Sequence, residues 1–193
     1  MSGDVQVRFC ERLGAKLPRA THLVVLVDAH PRQRWVRAAV EKRLREELAK
    51  LQVEVNEEKS RQVNLAQGES VGFLGFEFRR IRSRRARWMA LRTPRVKKRK
   101  ALLQTLKQVF RSHRSRPIAE VIARINPILR GWVQYFAFGH SSRCFSYIRN
   151  WVEKKIRHHL ARASQRHGFG WKRWSSAWLY RDLGLFNDYR VAY

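Results

Sequence analysis

Beyond a helical stretch over residues 31–50, the hydrophobic period of this chain changes near Pro94, and the change separates two kinds of structure. Before Pro94, apolar residues alternate. Val53 and Val55, then Phe76 and Phe78, take every second position, the spacing of a strand with one buried face. After Pro94 they recur every three to four residues, as in Leu102, Leu106, Val109 and Phe110, the spacing of an amphipathic helix. Such a chain is expected to be α+β, with a helix laid on a mostly antiparallel sheet and an all-α domain after it.

Along the N-terminal half, Leu23–Val27 is a β-branched run that reads as a buried strand ending at Asp28. Pro31 suits the first turn of a helix over residues 31–50, whose apolar stripe is Val36, Val40, Leu44, Leu48 and Leu51. Further strands are expected over 52–56, 62–65 and 71–81, the last with Leu74, Phe76 and Phe78 on one face. The turn Ser83-Arg84-Arg85-Ala86 returns that strand into Arg87–Leu91. Beyond Pro94 a helix carries Leu102 to His113, and a short second helix carries Ile118, Val121, Ile122 and Ile125. Asn126-Pro127 interrupts, as a cap followed by a first-turn proline. A third helix carries Leu129, Trp132, Val133 and Phe136 and closes at Gly139. A fourth, capped by Ser141 or Ser142, buries Phe145, Ile148, Val152, Ile156 and Leu160. Gly168–Gly170 then breaks the pattern before an aromatic tail.

Charge follows the same division. Residues 79–193 hold 29 Lys and Arg against four acids, a net of +25, whereas residues 1–78 are nearly neutral at +2. A compact cationic surface repels itself unless an anion neutralises it, so the basic region points to a polyanionic partner. Nucleic acid is the expected one. Six of the seven Trp also fall after residue 78, and a solvated charge run needs no Trp, so this basic region has its own core. The two cysteines, Cys10 and Cys144, read as reduced thiols of an intracellular protein. The longest clearly apolar run, Leu23–Val27, is far too short to span a bilayer. A cytoplasmic setting is expected, in a prokaryotic cell or an organelle.

Three stretches together resemble one family, the group II intron reverse transcriptase/maturase. Leu51–Arg61 is similar to its Leu-Gly-Leu-x-Leu-Asn-x-Glu-Lys-Thr block. Phe73-Leu74-Gly75-Phe76, after Gly68-Glu69-Ser70, is similar to its Phe-Leu-Gly-Phe block. Ile125 to Phe136 (Ile-Asn-Pro-Ile-Leu-Arg-Gly-Trp-Val-Gln-Tyr-Phe) resembles the signature of the maturase-specific thumb, or X, domain. The resemblance covers roughly 19–193. It implies an unmatched segment over 1–18, a partial reverse-transcriptase palm over 19–93 and a thumb/X domain over 94–193, with fingers and endonuclease domains outside the chain.

Where the family carries a Tyr-Ala-Asp-Asp turn, strand alignment places Arg19-Ala20-Thr21-His22. Two-metal nucleotidyl transfer needs clustered carboxylates around ions about 4 Å apart. Thr21 supplies no anionic ligand, and His22 suits softer metals than Mg²⁺. Asp28 lies about 20 Å along the strand from His22 at 3.3 Å per residue. The expectation is an RNA-binding maturase-type protein with no catalytic residues, no cofactor and no metal site; Mg²⁺ belongs to an intact polymerase of the family. Its partner would be structured group II intron RNA. The alternatives are a polymerase fragment completed by a separate chain that brings fingers and catalytic palm, or a degenerate mobile-element remnant.

The candidate RNA-binding residues fall in five groups. Arg79, Arg80, Arg82, Arg84, Arg85 and Arg87 occupy a hairpin, and Lys97, Lys98, Arg99 and Lys100 open a helix where they oppose its dipole. Arg130 and Gln134 share a helix face, beside Tyr135, which reads equally as core or contact; Trp132 reads as core. Lys154 and Lys155, with Arg157, His158 and His159, suggest a further basic face. Lys172 and Arg173 interleave with Trp171 and Trp174, a pattern that suits base stacking as well as a packed aromatic core.

Overall fold

The structure, a computed structural model, describes residues 5–11, 13–14, 22–28, 34–57, 60–165, 167–168 and 170–192. Arg19, Ala20, Thr21 and Pro31, on which two of the sequence readings rest, lie outside them. The protein is α+β, and its helices mostly follow its strands. It divides into two compact units, one of residues 1–73 and 77–91, the other of residues 74–76 and 92–193.

In the first unit, β1 (Val5–Glu11) lies between β3 (His22–Asp28) and β5 (Ser60–Asn64) in a three-stranded sheet. Both pairings are antiparallel, running from Val5 opposite Asp28 to Glu11 opposite His22, and from Gln6 opposite Asn64 to Cys10 opposite Ser60. The stretch read from sequence as unmatched thus supplies the central strand. Its Val5, Val7 and Phe9 alternate with Gln6, Arg8 and Cys10, which is a strand pattern in its own right. The short β2 (Leu13–Gly14) pairs with β4 (Glu54–Val55).

Helix α1 (Arg34–Lys50) buries Leu48. Leu51, read as part of its stripe, lies past the helix end and is 71% exposed, because Gln52 turns the chain at φ +54°. Glu41 on α1 accepts a hydrogen bond from Gln62 Nε2 at 2.9 Å, tying the helix to β5. Val63 and Val71 form a small core with Val24, Leu65, Phe73 and Phe78.

The single strand expected over 71–81 is two. β6 (Ser70–Phe73) and β7 (Phe76–Arg82) are separated by Leu74 and Gly75, both at positive φ (+46° and +81°). That turn breaks the alternation, so Leu74 is 55% exposed instead of sharing a face with Phe76. β8 (Trp88–Pro94) completes the order β6-β7-β8.

The second unit is helical: α2 (Val96–Ser112), α3 (Ile118–Phe136), α4 (Ser142–Ala163) and the short α5 (Ser176–Arg181). Leu106, Val121, Ile125, Leu129, Ile148, Val152, Ile156 and Leu179 are fully buried in one cluster drawn from all four helices. Each such side chain is worth about 1.5–3 kcal/mol of burial. A second cluster, Val133, Phe136 and Phe145, packs against Phe76, Tyr189 and Val191.

Asn126-Pro127 does not interrupt the helix as expected. α3 runs through Pro127, which costs about 3 kcal/mol through the missing N–H and the ring's clash with the preceding turn. The buried Val121, Ile122, Ile125 and Leu129 on either side outweigh that cost. Asn126 caps nothing. Its Nδ2 donates to the Gly184 carbonyl at 2.8 Å, and its Oδ1 accepts from the Phe186 N–H at 2.9 Å.

α3 ends at Phe136 rather than at Gly139. Gly139 instead permits a close approach, since a Cβ there would stand 2.9 Å from the Arg92 carbonyl oxygen. Ser141 holds the N-cap position of α4 without a side-chain capping bond, and its buried hydroxyl has no partner. As expected, Phe145, Ile148, Val152 and Ile156 face inward.

Candidate nucleic-acid interface

The cations of the first unit sit on the β7–β8 hairpin. Ser83 N–H donates to the Arg87 carbonyl at 2.8 Å and Ala86 N–H to that of Ser83 at 2.9 Å, closing a turn in which Ala86 takes φ +56°. Arg84, Arg85 and Arg87 are exposed around this turn. Arg82 is exposed too, with a long 3.4 Å contact from Nε to the Ala86 carbonyl. Two of the expected residues are engaged locally. Arg79 is paired with Glu77 at 2.7 Å, and Arg80 lies over the Trp88 ring, 4.4 Å from its centre.

The cations of α2 gather at its first turn. Lys97, Lys98, Arg99 and Lys100 follow Arg95, which offers no side-chain cap, and no acid stands in that turn. Each cation there opposes the helix dipole by about 0.3–1 kcal/mol. Two other segments meet this turn. The Arg95 N–H donates to the Gly75 carbonyl at 2.9 Å. The Lys98 stem lies 3.6 Å from where a Gly75 Cβ would stand. The Arg99 guanidinium lies 4.8 Å from the centre of the exposed Tyr147 ring on α4. Arg99 also faces the Cys144 thiol, which burial pushes up and the guanidinium draws partly back.

Tyr135, at the end of α3, closes the group. Its hydroxyl donates to the Leu74 carbonyl at 2.8 Å and its ring stacks on Phe76, 6.1 Å between centres, yet it remains 54% exposed. Arg130 and Gln134 are exposed on the same helix. Trp132 turns inward, 4.4 Å from Phe136 between ring centres, as a core residue does.

The basic face expected on α4 needs correction. Lys154 is exposed and Lys155 lies 5.5 Å from the Trp151 ring centre, but Arg157 and His159 are only 1% and 3% exposed. Arg157 is spent inside. Nη1 donates to Glu153 at 3.0 Å, Nη2 to Ser176 Oγ at 3.1 Å and Nε to the Trp174 carbonyl at 2.9 Å. Burial alone would raise the Glu153 carboxyl, but hydrogen bonds from Tyr180, Ser176 and Arg157 outweigh it and hold the group below its ordinary range. Burial and the same carboxylate push the Tyr180 phenol well up.

This network fixes the turn that carries Lys172 and Arg173, both exposed. Arg157 lies 4.1 Å from the centre of the half-exposed Trp171 ring, and Arg173 lies 5.6 Å from that of Trp174. Gly170, at φ +65°, is required there, because a Cβ would fall 2.3 Å from the Trp174 ring. Trp171 and Trp174 thus lie on a turn and do not form a helical stripe with Trp178.

Sequence reasoning passed over Lys107, Arg111, Arg114 and Arg162. They line a cleft with Phe110, Lys155, His158 and His159. The signal was present: Lys107, Arg111 and Arg114, like Lys155, His158 and Arg162, are spaced to fall on one helical face. Among the described residues, no group of three or more His, Cys, Asp and Glu side chains is placed to hold a metal ion. No described helix is long and apolar enough to cross a membrane.

No curated protein matches the chain. Residues 99–178 match the family model described as the group II intron, maturase-specific domain. The match opens on α2, spans α3 and α4, and reaches into α5, so it holds the first-turn cation Arg99, the stretch from Ile125 to Phe136 and the buried Glu153–Arg157 network. The helical unit of this chain is therefore similar, over residues 99–178, to the group II intron maturase-specific domain.

Proposed function

We propose that this protein is an RNA-binding maturase-type protein that holds folded group II intron RNA in its splicing-competent form, with the RNA supplying the chemistry. The observation that carries the reading is a maturase-specific domain whose first helix opens on Lys97, Lys98, Arg99 and Lys100 with neither an acid nor a side-chain cap. A phosphate backbone at that turn relieves the cationic repulsion and meets the exposed amide ends of the helix. Arg84, Arg85 and Arg87 on the hairpin, Arg130 and Gln134 on α3, Lys154 and Lys155 on α4, and Lys172 and Arg173 on the Trp-flanked turn extend the contact. Cytoplasmic action follows from this partner. Polymerisation is not part of the reading, because Arg19-Ala20-Thr21-His22 stands where the family's carboxylate turn is expected.

The test is a splicing assay with a group II intron transcript at moderate Mg²⁺, with and without the protein. Faster accumulation of ligated exons supports the reading, and an unchanged rate at saturating protein contradicts it. A second reading, a polymerase fragment completed by another chain, is favoured by β3, an edge strand of its sheet with Leu26 68% exposed. Primer extension with and without a chain that brings the fingers and catalytic palm separates the two.

A further inference from the structure

A cleft between the C-terminal halves of α2 and α4 joins Lys155 of the α4 group to cations that the groups above leave out. It has a volume of about 570 Å³ and is lined by Lys107, Phe110, Arg111, Arg114, Lys155, His158, His159 and Arg162. Five of the eight are permanent cations and none is a carboxylate. Among the described residues, no acid pairs with Lys107, Arg111, Arg114, Lys155 or Arg162. Elsewhere the chain does match its cations, as in the Arg43–Glu47 and Arg45–Glu57 pairs on α1. Unmatched cations around a concavity focus their field into it, which favours an anionic occupant.

The lining also says which anion. Phe110, the one Phe, Tyr or Trp of the lining, is only 8% exposed, with the His159 ring tilted against it at 6.4 Å, so no such ring is open to stack on a nucleobase. His159 Nε2 donates to the Arg116 carbonyl at 3.0 Å, and its Nδ1 is buried without a partner. The cations stand in two facing rows, Lys107, Arg111 and Arg114 from α2 and its following turn, Lys155 and Arg162 from α4. On α4, Lys155 and Arg162 stand seven residues apart, about 10 Å at 1.5 Å per residue. That length matches two or three steps of a nucleic-acid strand at about 3.4 Å each.

We propose that this α2–α4 cleft is a separate anchoring site for consecutive phosphates of a single RNA strand, distinct from the hairpin and from the first turn of α2. The proposal rests on the RNA-binding reading above and adds where one strand is gripped. The grip is electrostatic and bidentate, so Arg111, Arg114 and Arg162 carry more of it than Lys107 and Lys155.

The test uses the full chain in four forms: wild type, R111A/R162A, R111K/R162K and R84A/R85A. Arg111 and Arg162 are exposed, so thermal melting is expected to show equal midpoints. Each form is titrated with a group II intron RNA hairpin over a salt series. R111A/R162A should bind about tenfold or more weakly and lose about 1.4 units of salt slope, at about 0.7 per phosphate of a single strand. R111K/R162K should recover most of the slope. Inorganic tripolyphosphate should compete with RNA on wild type and on R84A/R85A, and far less on R111A/R162A. Wild-type affinity and slope in R111A/R162A would overturn the cleft proposal while leaving the RNA reading intact. A wild-type protein whose RNA binding is independent of salt would overturn the RNA reading itself, and the cleft with it.

Discussion

Arg157 donates from Nη1 to the carboxylate of Glu153, one turn earlier on α4, across 3.0 Å, and the two side chains are 1% and 4% exposed. In a chain of net charge +27 this is an arginine that meets no solvent. It serves the interface indirectly, by holding the Trp171–Trp174 turn that presents Lys172 and Arg173.

R157A leaves Glu153 charged, buried and without its buried cationic partner. Breaking a buried pair from one side costs about 3–5 kcal/mol, so urea unfolding should show a stability lowered by that amount. R157K should recover little of it, because one ammonium cannot serve Glu153, Ser176 and the Trp174 carbonyl together. Near-wild-type stability in R157A would remove the network from the account.

The same pair sets an acid limit. The Glu153 carboxyl is held below its ordinary value of 4.5 in the folded state. Its charged form therefore contributes stability that is complete above about pH 4.5 and is lost as pH falls through the lower folded value. E153Q should be less stable than wild type at pH 7, and the gap should narrow steadily toward pH 3. A gap that stays constant over that range contradicts the assignment.

Asn126 offers a third test. N126A loses the bonds to Gly184 and Phe186 and should destabilise by about 1–3 kcal/mol, read from thermal melting. An N-capping role would instead predict recovery in N126S, and none is expected.

Asn126 also marks where the sequence stops being legible. Its neighbour Pro127 reads locally as a helix start, and only the distant carbonyl of Gly184 and amide of Phe186 show that Asn126 serves as a tether and not as a cap. Burial of Arg157 and His159 was hidden for the same reason, since their partners lie at Ser176, Trp174 and Arg116. The split at Leu74-Gly75 was masked by an alternation that runs on either side of it. What local pattern controls was readable: the inward stripes of α2 and α4, the turn Ser83–Ala86 and the strand over Leu23–Val27, though that strand is not buried as expected, since it lies at a sheet edge with Leu26 68% exposed. The central strand β1 was readable too, through Val5, Val7 and Phe9, but it lay in a segment that matched no family block.

Tyr135 separates support from contact. Y135F removes only the hydroxyl bond to Leu74 and should lower stability by about 1 kcal/mol while keeping RNA affinity. Y135A removes the exposed ring and should weaken RNA binding by about tenfold if that ring stacks on a base, at about 1–3 kcal/mol per stacked base. Equal RNA affinity in both variants would assign Tyr135 to the fold alone.

The most direct measurement of the central claim is equilibrium binding of the full chain to a group II intron transcript between 50 and 200 mM salt, at roughly the range where phosphate contacts are read. With six to ten phosphates neutralised, affinity should fall about 10³–10⁵-fold across that range, log K falling linearly with log salt. Substituting Lys97, Lys98 and Lys100 by Ala should flatten the line by two to three units, at about 0.9 per phosphate. A flat dependence in the wild-type protein, or a slope untouched by those substitutions, would contradict an RNA grip centred on the opening turn of α2.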